Sequence, residues 1–159
     1  MDKFEIIKYI EQLPILSYED DICQDFFMNY NLSAPMSFWD APKDYIENFT
    51  NGCGTEGFCD IFVPDHFYLL QVVAACKIHD WCYLVWNDKE GFHLANTIFL
   101  NNLQRICKQH FFTTKQNFID KFLLKRRLKL CGVYWKAVDL FGEQPYLDSH
   151  IDLYEEYMK

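Results

Sequence analysis

No apolar run in this 159-residue chain approaches the roughly 18 residues of a membrane-spanning helix, which excludes a helical membrane protein. Positive charge is also short: 15 Lys and Arg stand against 23 Asp and Glu, for a net charge of -8, so no nucleic-acid partner is expected. The opening stretch MDKFEIIKYIEQL scatters Lys and Glu among its apolar positions and lacks the character of a secretory signal peptide. The expected location is therefore the cytoplasm, or the exterior by a signal-independent route. There are no internal repeats and no clear strand alternation, and the expected fold class is mostly α. Glycine is scarce, with only six in the chain. Three of those fall in one segment, Gly52-Cys53-Gly54-Thr55-Glu56-Gly57.

Against these absences stands an abundance of apolar and aromatic side chains. Half the residues are hydrophobic and 18% are aromatic, which rules out a disordered polypeptide and supports a single domain over 1–159. Charge is unevenly spread: residues 101–140 hold nine basic and two acidic side chains. A solvated cationic helix face is the simplest account; a surface for anionic lipid or phosphate is the sharper one. The seven cysteines are odd in number and follow no export signal. They read as mostly buried thiols, with disulfides allowed but not required.

Apolar spacing predicts a helix over 2–13, ended by Pro14, and a short helix within 18–30 lined by Ile22, Phe26 and Phe27. Residues 31–51 read as loop. Three long helices follow. One spans about 66–86 with Asp65 as N-cap. The next covers 89–110, with Phe92, Ala95, Asn96, Phe99, Leu103 and Ile106 on one face. The third runs from about 115 to 140, presenting Phe118, Phe122, Leu124, Leu128, Cys131, Trp135 and Val138 before Gly142 and Pro145. The tail DSHIDLYEEYMK forms a last short helix in this reading.

Chemistry concentrates in the glycine segment and in Cys76-Lys77-Ile78-His79-Asp80-Trp81-Cys82-Tyr83. On a helix His79 and Tyr83 share a face, and Asp80 is turned about 100° from His79, so one helix can aim an imidazole and a carboxylate at adjacent points. A carboxylate joined by loop carbonyls suits a hard cation such as calcium. The imidazole beside it can deprotonate a water. Cys76, His79 and Cys82 also have a zinc-like spacing. On one helix, however, the two thiols point about 120° apart, which disfavours a shared tetrahedral ion. The remaining histidines, His66, His93, His110 and His150, lack comparable company.

The CxxHDxCY block preceded by a Gly-Cys-Gly loop resembles the calcium-dependent phospholipase A2 superfamily. The resemblance covers roughly residues 50–110, with 1–49 and 111–159 as flanking helical segments. It implies two antiparallel active-site helices, a third long helix and a Gly-rich calcium loop. It also implies calcium held by Asp80 and by carbonyls near Gly52, Gly54 and Gly57, with His79 as general base and Tyr83 as a supporting hydroxyl. The implied activity is hydrolysis of the sn-2 ester of a glycerophospholipid, with a phospholipid or membrane surface as partner. Asn96 stands where the family's second helix carries Asp; its amide oxygen can orient the imidazole but offers it no negative charge. Lower activity is therefore expected, and the alternative is a weak or inactive module that binds calcium, lipid or protein. Ala75 and Ala95 stand where secreted members carry Cys, so the pairings at those positions are absent. The 17-residue step from His79 to Asn96 is closer to cysteine-poor viral and bacterial members.

Overall fold

A computed structural model describes residues 3–50, 64–144 and 146–147. The glycine segment 52–57 and the tail helix expected at 148–159 lie outside the described residues. Within them the chain is mostly helical, and its order is α1 (Lys3–Glu11), α2 (Tyr18–Asp21), β1 (Ile22–Phe27), β2 (Tyr30–Pro35), α3 (Met36–Asp40), α4 (Lys43–Phe49), β3 (His66–Phe67), β4 (Leu70–Gln71), α5 (Val73–Val85), α6 (Lys89–Phe112) and α7 (Phe118–Phe141).

The two long C-terminal helices start where their caps dictate. Asp88 accepts from the Gly91 amide at 2.7 Å and opens α6. Asn117 and Asp120 form a reciprocal capping box that opens α7. Contacts running in opposite senses make α5, α6 and α7 successively antiparallel. Tyr83 of α5 meets Phe92 of α6, while His79 meets Phe99. Asn96 of α6 meets Asp139 of α7, while Cys107 meets Cys131 with the sulfurs 3.7 Å apart. The expected inner face of α6 is buried in full: Phe92, Ala95, Asn96, Phe99, Leu103 and Ile106 are all in the core.

Several expectations are corrected. Residues 22–35 form a β hairpin rather than a helix followed by loop, and the rest of 36–49 contains the short helices α3 and α4. The helix expected from 66 begins only at Val73, because 66–71 make a second antiparallel hairpin. Both hairpins turn through two consecutive left-handed residues, Met28-Asn29 and Tyr68-Leu69, none of them glycine. Phe118 and Phe122, expected inside α7, are exposed. Arg127, expected with Lys125, Arg126 and Lys129 on a solvated or lipid-facing surface, is instead buried. Its guanidinium donates to the Phe67 carbonyl at 3.0 Å and the Tyr68 carbonyl at 2.7 Å, clamping the second hairpin at its turn. Cys76 is in a disulfide, whereas Cys23, Cys82, Cys107 and Cys131 are free thiols.

Helix α6 also completes the edge of β2. Asn102 accepts from the Ser33 amide at 2.9 Å and donates to the Ser33 carbonyl at 2.8 Å. Two turns on, Gln109 does the same to Asn31, both bonds 2.9 Å long. Side-chain amides thus take the place of a neighbouring strand and satisfy backbone groups that burial would otherwise leave unpaired. This seam seats α6 against the N-terminal half of the chain, and the site is built on α6's opposite contacts, with α5 and α7. No helix among the described residues is long and apolar enough to cross a membrane.

Candidate functional site

The site starts from helix periodicity. His79 and Tyr83 lie one turn apart on α5, and their rings touch with centroids 4.2 Å apart. Phe99 of α6 also stacks on the imidazole, with centroids 4.6 Å apart. Tyr146 and Phe92 enclose the Tyr83 ring. His79 is 5% exposed, while Tyr83 and Asn96 are fully buried. At the end of the helix pair, Tyr18 donates to Asp88 at 2.6 Å, bracing the α5–α6 connection that sets this register.

Asn96 is the hub. Its Oδ1 lies 2.8 Å from His79 Nε2 and accepts the Tyr83 hydroxyl at 2.7 Å. Its Nδ2 donates to Asp139 Oδ1 of α7 at 3.2 Å. The exposed His93 brings Nδ1 to 3.4 Å from the same carboxylate oxygen. An acceptor oxygen opposite Nε2 places the ring proton there and leaves Nδ1 with a lone pair. Nδ1 makes no hydrogen bond among the described residues.

Burial lowers the His79 pKa from its ordinary 6.5 to about 4, against the opposing pull of the Asn96 hydrogen bond. The imidazole is therefore neutral at physiological pH and able to accept a proton. It is also a weak base, because proton transfer is most effective when the pKa lies near the working pH. An amide at position 96 keeps the ring oriented without the charge that would raise its basicity.

The three side chains expected to act together, His79, Tyr83 and Asn96, are in mutual contact. Asp80, the expected calcium carboxylate, follows His79 on α5 and is half-buried. The expected carbonyl ligands near Gly52, Gly54 and Gly57 lie outside the described residues. Among the described residues no group of three or more His, Cys, Asp or Glu is placed to hold a metal. The zinc alternative loses a ligand, since Cys76 is in a disulfide. Asp139 and His93 were not among the expected site residues. Asp139 is one of only two acids among residues 101–140, and that isolation was the available sequence signal. An open cleft of about 800 Å³ lies between the α1–α2 segment, α3 and the start of α6, and none of His79, Asp80, Tyr83 or Asn96 lines it. No family model, curated protein or solved structure matches this chain.

Proposed function

We propose that the protein is a phospholipase A2-like hydrolase that cleaves the sn-2 ester of glycerophospholipids in a calcium-dependent reaction. The observation that carries this reading is the imidazole of His79, tethered at Nε2 by Asn96 and unbonded at Nδ1 among the described residues, next in sequence to the Asp80 carboxylate. Nδ1 accepts a proton from water as that water attacks the ester carbonyl, and Asn96 and Tyr83 hold the ring in line. Asp80, with carbonyls near Gly52, Gly54 and Gly57, is the set that would hold calcium; bound there, the cation supplies positive charge for the lipid phosphate and the ester oxyanion. The antiparallel α5–α6 pair followed by the long α7 supports this reading. Exposed Phe118, Ile119 and Phe122 beside Lys121, Lys125 and Arg126 give α7 the mixed apolar and cationic character suited to an anionic lipid surface.

The low basicity of His79 favours a second reading, a module with the same geometry that binds calcium, lipid or protein without turnover. Fatty-acid release from mixed phospholipid vesicles, with calcium or with EGTA, separates the two. Release by the wild type that disappears in EGTA and in His79→Asn supports hydrolysis. Absence of release from the wild type under every condition refutes it.

A further inference from the structure

We propose that Asp139 is the positioning residue of this site: by accepting from the Asn96 amide it sets which way that amide faces, and so sets the tautomer of His79. Asn96 has an oxygen on one side and an NH2 on the other, and its two ends meet chemically different neighbours. One end faces His79 Nε2 at 2.8 Å and the Tyr83 hydroxyl at 2.7 Å. The other faces Asp139 Oδ1 at 3.2 Å. The imidazole can donate or accept at Nε2 according to its tautomer, and the tyrosine hydroxyl can do either by rotating. Neither therefore dictates the amide's orientation. An ionised carboxylate can only accept. Turning Asn96 over would press its carbonyl oxygen against the Asp139 carboxylate and leave a buried NH2 pointing at His79. Asp139 excludes that arrangement, directs the amide oxygen inward, and thereby keeps the ring proton on Nε2 and the lone pair on Nδ1.

The position of Asp139 suits this role. Asn96 is fully buried, whereas the Asp139 side chain is 31% exposed, so its charge keeps contact with water while its Oδ1 reaches the hub. His93, on α6 one turn before Thr97, approaches that same oxygen from the solvent side. The carboxylate thus stands one link away from the imidazole and acts on it only through the Asn96 amide.

Only the catalytic consequence rests on the phospholipase-like reading; the tautomer does not. The test is long-range proton–nitrogen NMR of the full chain labelled at histidine nitrogens, near pH 8, with the His79 signal assigned by its loss in His79→Gln. The wild type is expected to show a protonated Nε2 and a bare Nδ1. In Asp139→Leu, which removes the acceptor, the two nitrogen shifts should move toward each other as both tautomers become populated. Asp139→Asn can present either an oxygen or an NH2 to Asn96, so it should likewise let both tautomers become populated. A wild-type signal protonated at Nδ1 overturns the proposal without any variant. So does an Asp139→Leu spectrum identical to that of the wild type. Where the wild type releases fatty acid, Asp139→Leu should lower the rate by roughly 10–100-fold, and Asp139→Asn should lower it as well. Absence of release overturns the assigned activity and leaves the spectroscopic outcome standing on its own.

Discussion

The buried imidazole ties the stability of the whole chain to pH. Because its pKa in the folded protein is lower than in the unfolded chain, the unfolded chain takes up the proton first as the solution is acidified. Stability from this residue is whole above its ordinary value of 6.5 and is lost as the pH falls toward 4. At about 1.4 kcal/mol per pKa unit, the full loss reaches about 3 kcal/mol. Some two-thirds of that, about 2 kcal/mol, is gone by about pH 5. His79→Gln removes the titration and keeps a donor for Asn96 Oδ1. Urea unfolding of both proteins at about pH 7.5 and about pH 5 isolates the effect, since every other titrating group is common to the two. The wild type should lose about 2 kcal/mol more than the variant over that interval. Parallel curves, with a stability difference constant to about 0.5 kcal/mol, would refute the claim that His79 is held neutral by burial.

Three further outcomes follow from the same contacts. Asn102→Leu leaves the buried amide and carbonyl of Ser33 without partners; at about 1–3 kcal/mol for each unpaired group, urea unfolding should register a loss of about 2–6 kcal/mol. Arg127→Met strips the Phe67 and Tyr68 carbonyls of their donor and should cost about 2 kcal/mol, with hydrogen exchange accelerating first in the 66–71 hairpin. Asn96→Asp sets two carboxylates against each other where the amide now donates to Asp139, so its destabilisation relative to the wild type should be larger at about pH 8 than at about pH 5. Adding Asp139→Asn should relieve most of that penalty, and a destabilisation relative to the wild type that is equal at the two pH values would contradict the geometry.

What the sequence made legible was local. The apolar spacing of α6 and α7 placed both helices to within a few residues. The His79–Tyr83 pair followed from helical period, and Asn96 stood out as the one amide on an apolar face. The hairpins were hidden because their turns lack glycine: Met28-Asn29 and Tyr68-Leu69 adopt left-handed backbone without the residue that usually advertises it. The second of those turns is held by Arg127, sixty residues away, so its cause is tertiary. For the same reason Arg127 could not be told from Arg126 within a basic run. Asp139 was set apart in sequence only by its isolation among basic residues, and its contact with Asn96 emerges only where α7 lies against α6.

An amide rather than a carboxylate at position 96 has a consistent physical logic. A fully buried carboxylate would face desolvation on every side and need several donors to remain ionised. Asn96 is neutral, and the bonds it makes in this network all have partners of the right sense. The charge is carried instead by Asp139, where solvent and His93 can reach it. The price of that arrangement is basicity, since an imidazole with a pKa of about 4 gains orientation from its neighbours but little driving force to take a proton. A protein built this way keeps the geometry of a general base whether or not it turns substrate over. Hydrolysis on such a scaffold must draw its rate from stabilising the oxyanion more than from removing the proton. Under the proposed hydrolysis, the rate should accordingly fall much further on loss of Asp80 than on exchange of Asn96. The reverse ranking, with Asn96 variants the more damaging in vesicle assays, would mean that proton removal limits the reaction after all.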